Sequence, residues 1–331
     1  MRDAVMRFGL LGCASLLLSA TNPPANAARA IGACVNMANH LEAPREGAWG
    51  RPIADADFRI IADAGFRTVR IPVQWSAHAA VQPPYAIDPA FMARVDHVVG
   101  KARAAGLGVI LNLHNYDALM TEPAANTQRF AGLWRQIAAH FANRDDALWF
   151  ELLNEPHDKL TNANLLVTLG PALAAVRRTN PTRKVVIGGQ NWSNVDSLAT
   201  LPLPDDRNLV VTFHYYEPFA FTHQGASWVN PSPPVGRTYP MPGDAAALAG
   251  DVAKVRAYAT RTGRPIFMGE YGAHDPIAID QRARYYGAVH DAFARIGIDG
   301  CAWGYTNGFA LRRGDRWIDP ILRAIGLGKP R

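Results

Sequence analysis

Apolar residues along the chain follow two periods that take turns. Short β-branched runs edged by turn residues fall at 31–36, 68–73, 108–114, 148–155, 184–189, 209–216, 265–272 and 299–305. Runs of this length and composition predict buried strands. Between them lie stretches in which apolar residues recur every three or four positions. In 89–105, Phe91, Met92, Val95, Val98 and Val99 share one helical face, Pro89 opens the helix and Gly106 stops it. The same period marks 55–64, 127–142, 164–178, 244–260, 279–296 and 320–325, with a weaker candidate at 194–201. Eight strands, each followed by a crossover, make a parallel sheet, and eight is the number that closes one into a single α/β (β/α)8 TIM barrel. No Gly-x-Gly-x-x-Gly follows any strand, which removes the motif that would favour an open doubly wound sheet.

Composition adds limits. With 331 residues, 49% hydrophobic and 19% charged, the chain falls outside the disordered and collagen-like classes. The formal charge of +6 comes from 34 basic against 28 acidic residues, and the basic ones are scattered. A nucleic-acid partner would need them clustered, so none is expected. No linker divides the chain, which predicts one domain over 28–331, acting as a monomer.

The first residues differ from the rest. Arg2 and Arg7 precede an apolar run at 8–18, and Ala25-Asn26-Ala27 has the small-x-small form of a cleavage site. This predicts a signal peptide over 1–27 and a secreted or periplasmic protein. Leu10-Leu11-Gly12-Cys13 offers lipidation at Cys13 as the second reading. After Ala27 no run approaches the ~18 apolar residues of a membrane span, so no membrane association is expected once the signal is removed. Cys34 and Cys301 then remain. The closed barrel makes their strands neighbours, yet disulfides between parallel strands often do not fit, and free thiols are expected.

Active sites of such barrels lie at the carboxyl ends of the strands. The polar residues there are Asn36, Asn39, Arg70, Asn112, His114, Asn115, Asn154, Glu155, His214, Tyr216 and Glu270, with Trp303 on the last strand. Residues two apart share a strand face, which places Glu155 with Glu151 and Leu153, and Glu270 with Ile266 and Met268. Two carboxylates on separate strands suit hydrolysis of a glycosidic bond, one protonated and one ionised. Arg70 and Tyr216 would keep Glu270 ionised, and Asn154 would hold a sugar hydroxyl. Trp75, Trp192, Trp228, Trp303, Tyr116 and Tyr215 offer flat apolar faces to sugar rings. Glu151 suits a structural ion pair inside the barrel. No Schiff-base lysine, clustered histidine metal site or Gly-x-Ser-x-Gly stands at a strand end, so neither metal nor cofactor is expected.

Arg70-Ile71-Pro72, His114-Asn115, Leu153-Asn154-Glu155-Pro156, His214-Tyr215-Tyr216 and Gly269-Glu270-Tyr271-Gly272 resemble glycoside hydrolase family 5, and Asn39 to Pro44, Trp75 to His78 and Phe221 to Pro231 resemble its bacterial endo-β-1,4-glucanase and mannanase branch. The resemblance implies a retaining double displacement on a β-linked polysaccharide or oligosaccharide, with Glu155 as acid/base and Glu270 as nucleophile. It further implies support from Arg70, Asn154, His214 and Tyr216, and sugar contacts at Asn39, Glu42, His114, Asn115, Trp228 and Trp303. Relatives often carry a second histidine where Asn115 stands and a glutamate where Gly304 stands, and the loop 309–317 is shorter here. These departures touch the sugar contacts. The expected substrate is β-glucan first and β-mannan second, with a non-catalytic sugar-binding barrel a distant third.

Overall fold

The computed structural model describes residues 31–328. The expected signal peptide, its cleavage point and Cys13 lie outside the described residues. Eight parallel strands close in sequence order: β1 (Cys34–Asn36), β2 (Thr68–Ile71), β3 (Gly108–Asn112), β4 (Leu148–Glu151), β5 (Val185–Gly188), β6 (Leu209–Tyr215), β7 (Ile266–Tyr271) and β8 (Gly300–Ala302). The major crossover helices are α1 (Ala56–Asp63), α2 (Pro89–Ala104), α4 (Pro123–His140), α5 (Leu165–Thr179), α8 (Asp244–Thr262) and α9 (Ile279–Ala294). Shorter turns are α3 (Asp117–Thr121), α6 (Gln190–Ser193) and α7 (Phe219–Thr222). A hairpin, β9 (Arg312–Arg313) with β10 (Arg316–Trp317), and α10 (Asp319–Ala324) end the fold. The weak candidate at 194–201 is a 3-10 turn, Val195–Ala199.

Local chemistry sets the ends. The Asp88 side chain accepts from the N–H groups of Ala90 and Phe91, with Pro89 at the first helical position of α2. Gly263 ends α8 in the left-handed region, where a side chain would clash with the backbone.

Two cores result. The larger lies between sheet and helices. The smaller fills the barrel with Ile31, Cys34, Ile110, Val186, Val210, Phe267 and Cys301, and it is the floor on which the polar residues of the mouth rest.

Two expectations are corrected here. Closure sets Cys34 directly opposite Cys301, and they form a disulfide with Cα atoms 4.2 Å apart. The register, which the sequence does not state, places both cysteines inward at one level of the seam. The strand-face argument for Glu270 also fails. Ile266 and Met268 face the outer core while Phe267 faces the barrel interior. A register shift then pairs Phe213 with Met268 but His214 with Glu270, and this bulge turns Glu270 inward. Gly269 permits it, because a Cβ there would stand 2.5 Å from the Thr212 hydroxyl and 2.8 Å from His214 Nε2.

Candidate active site

Arg70 sits at the centre of the mouth, 0% exposed. Its Nε and one Nη2 hydrogen donate to Glu151 at 2.6 Å each. Nη1 donates to Asn36 at 2.9 Å and to Glu270 Oε1 at 2.7 Å, and Nη2 also donates to Asn154 at 2.8 Å. All five N–H groups are thus engaged. Glu151 forms the structural ion pair anticipated for it. Asn36 fixes the far side by donating to the carbonyls of Gly269 and Cys301 at 3.1 and 3.2 Å.

Glu270 takes its second oxygen's bond from the Tyr216 hydroxyl at 2.9 Å. Glu155 does not lie on β4, which ends at Glu151. It stands four residues further on with φ +46°, so shared face with Glu151 is not what aims it. The loop is set instead by the Asn154 N–H bonded to the Leu113 carbonyl at 2.9 Å. His214 Nδ1 lies 2.7 Å from Glu155 Oε1 and 3.6 Å from Glu270 Oε2. One oxygen of Glu155 and one of Glu270 are within 4.8 Å of each other and of the His214 ring nitrogen.

Burial raises the Glu155 carboxyl to about 7, against the pull of Arg70, His157 and Asn154. Burial also raises Glu270, opposed by His214, Arg70 and the Tyr216 hydroxyl. One guanidinium cannot neutralise three neighbouring carboxylates, so one proton stays in the cluster. His214 is lowered to about 4, chiefly by burial, and its ring is neutral near pH 7. These three groups are also the one carboxylate–histidine cluster among the described residues dense enough for a metal ion. Both Glu270 oxygens already accept from Arg70 and Tyr216, donors with which a cation would compete for this carboxylate.

The remaining expected residues divide. His114 stacks on Trp303 at 5.5 Å with planes 7° apart and is bonded to Asn112. Trp228 is 59% exposed, edge-on to His274 at 4.9 Å. The side chain of Asn39 donates to the Asn307 carbonyl at 3.3 Å. Glu42 is buried, and its oxygens accept the backbone N–H groups of Asn39 and His40. Burial raises its carboxyl to about 7, so this side chain shapes its own loop. Asn115 donates to the Glu42 carbonyl at 3.0 Å. Three aromatics proposed as sugar faces belong to the core: Trp75, Tyr116 and Tyr215 are all buried, and the Trp75 indole bonds to the Asn112 carbonyl at 3.0 Å. Trp192 is 54% exposed and stacks at 5.0 Å on His157. The sequence reading missed His157, although it directly follows Asn154-Glu155-Pro156.

A barrel whose mouth holds two inward carboxylates, bridged by a neutral histidine and backed by a buried arginine, has the groups needed to cleave a glycosidic bond. The profile of the cellulase family, glycosyl hydrolase family 5, matches residues 29–308, and the chain belongs to that family. It is 33% identical over 280 residues to Endoglucanase H of Acetivibrio thermocellus, covering 85% of this chain. It spans 30% of the length of that relative and 55% of Endoglucanase 3 of Fibrobacter succinogenes. Among solved structures, Thermotoga maritima Cel5A in complex with cellobiose superposes with a TM-score of 0.88 at 36% identity, over 90% of this chain and 98% of that one. Cel5A with mannotriose gives the same values.

Proposed function

We propose that this chain is a retaining endo-β-1,4-glucanase. The observation that carries the reading is the closeness of the two carboxylates, with one oxygen of each within 4.8 Å. Retention calls for carboxyl groups about 5–5.5 Å apart, whereas inversion needs about 6.5–9.5 Å to admit a water. Glu155 donates its proton to the glycosidic oxygen while Glu270 attacks the anomeric carbon. The bond to the leaving sugar breaks and a glycosyl–Glu270 ester forms. Glu155, now ionised, takes a proton from an entering water, which attacks the anomeric carbon and frees Glu270. Arg70 and Tyr216 hold the nucleophile. His214 positions Glu155, and Asn154 stands beside the sugar 2-hydroxyl. Asn39, His114, Asn115, Trp228 and Trp303 line the sugar path.

β-Glucan is favoured by the names of the relatives. The mannotriose complex of Cel5A favours β-mannan as second substrate. Export is supported by the Ala25-Asn26-Ala27 pattern and by the disulfide, since such bonds persist in oxidising compartments. Among the described residues no helix is long and apolar enough to cross a membrane.

Reducing-sugar release from mixed-linkage β-glucan and from glucomannan tests the reading, with wild type beside Glu270→Gln. The wild type should act on both, faster on glucan, and the variant should lose about four orders of magnitude or more, as when a nucleophile is removed. Equal activity in both proteins would remove Glu270 as nucleophile.

A further inference from the structure

Beyond the catalytic cluster, the corner between β8 and β1 holds a cavity of about 420 Å³ lined by Arg51, Asp275, Thr306, Asn307, Arg312 and Arg313. It meets the proposed sugar path at Asn39. The Asn307 carbonyl accepts from Asn39, and the hairpin that carries Arg312 and Arg313 is tied back to the loop after β8 through Arg312 N–H to the Tyr305 carbonyl at 3.0 Å. The cavity is assembled from parts of the chain more than 250 residues apart.

Its charges do not cancel. The Arg51 guanidinium is engaged by Asp57 at 2.6 and 2.7 Å. Asp275 lies 3.0 Å from the fully buried Arg282 and accepts the Ala310 N–H at 2.9 Å. Arg313 reaches only the Asp275 carbonyl at 3.3 Å and its carboxylate at 3.4 Å. Among the described residues, no carboxylate or carbonyl meets the Arg312 side chain. It lies over the Tyr305 ring at 5.9 Å, and its buried Nε has no protein acceptor. The buried side-chain nitrogen of Asn307, packed against Gly50, is also without an acceptor. Of the charged groups that line the cavity, three are guanidiniums and one is a carboxylate, and its buried polar atoms without a protein partner, Arg312 Nε and the Asn307 side-chain nitrogen, are donors. Buried donors are nearly always paired, so the corner is built for a ligand that brings acceptors and negative charge.

We propose that this cavity is a subsite for a carboxylate carried on the polysaccharide, as on a uronic acid branch, with Arg312 as its recognition residue. The planar guanidinium fork matches a carboxylate, whereas a neutral hydroxyl leaves the surplus charge unanswered. The assignment rests on the glucanase reading for the polymer that delivers the group.

Kinetics of wild type, Arg312→Gln and Arg312→Lys on carboxymethyl cellulose and on neutral hydroxyethyl cellulose provide the test, together with the Arg312 Nε–H resonance during titration with sodium glucuronate and with inorganic phosphate. On carboxymethyl cellulose, Arg312→Gln should raise KM about tenfold, the order lost with one charge-assisted contact, with kcat unchanged. Lysine should restore part of the loss, added salt should shrink the difference, and hydroxyethyl cellulose should show none. Glucuronate should shift the resonance at concentrations where phosphate does not. A KM change equal on both polymers, or absent on both, overturns the subsite. A response to phosphate as strong as to glucuronate overturns its assignment to the polymer. If wild type cleaves neither polymer while glucuronate still moves the resonance, the subsite stands and the glucanase reading falls.

Discussion

Glu155 and Glu270 are the same chemical group in one pocket, and the proposed reaction needs them in different protonation states. Burial raises both, but Glu270 is bonded to Arg70 and to the Tyr216 hydroxyl, while Glu155 meets a neutral histidine and is raised to about 7. A proton shared among these groups therefore rests at Glu155. The sign of the pH dependence follows: a general acid works while protonated, so kcat/KM should fall as pH rises through about 7. Glu155→Gln, assayed on an aryl cellobioside whose leaving group needs no protonation, should lose this alkaline limb. A limb that persists in the variant would assign it to another group. At this scale the sequence was informative about residue types. Arginine, asparagine, glutamate and histidine at strand ends are hard to explain by packing. It was silent on depth, and so Trp75, Tyr116 and Tyr215 were read as sugar faces although they are buried.

Elements were legible where hydrophobic periodicity decides them. All eight strands and the long crossover helices lie where the pattern places them; β2, β3, β4 and β8 are trimmed at their carboxyl ends, where the chain leaves the ladder, and β1 at its amino end. What the pattern missed arises between elements. The bulge opposite His214 reverses the facing of Glu270; alternation within β7 cannot reveal it, though Gly269 is the residue that makes it possible. The disulfide is likewise a fact of register between β1 and β8. Joining residues 267 apart in sequence restricts the unfolded chain strongly, by about 5–6 kcal/mol on loop-closure grounds. Thiol titration of the denatured, unreduced protein should accordingly find neither Cys34 nor Cys301 free. The Cys34→Ala, Cys301→Ala double variant should unfold at lower urea concentration by an amount of that order. Two titratable thiols would refute the pairing.

The whole molecule separates stability from chemistry along the barrel axis. The apolar plug and the disulfide hold the interior, and above them Arg70 links β1, β2, β4 and β7 through Asn36, Glu151 and Glu270. A buried ion cluster of this kind is weak evidence of stability; its evident use here is to fix the orientation of the nucleophile. The barrel class was readable from eightfold alternation because each unit repeats a local pattern. The cavity of Arg51 and Arg312 was not, since only closure of the barrel brings the loops after β1 and β8 together. The claim that joins all three scales is a covalent intermediate on Glu270. Incubation with an activated 2-deoxy-2-fluorocellobioside, followed by peptide mass spectrometry, tests it directly. The account predicts one added fluorocellobiosyl mass on the peptide that contains Glu270. The same label on Glu155, or continued turnover with no label on either, would contradict it.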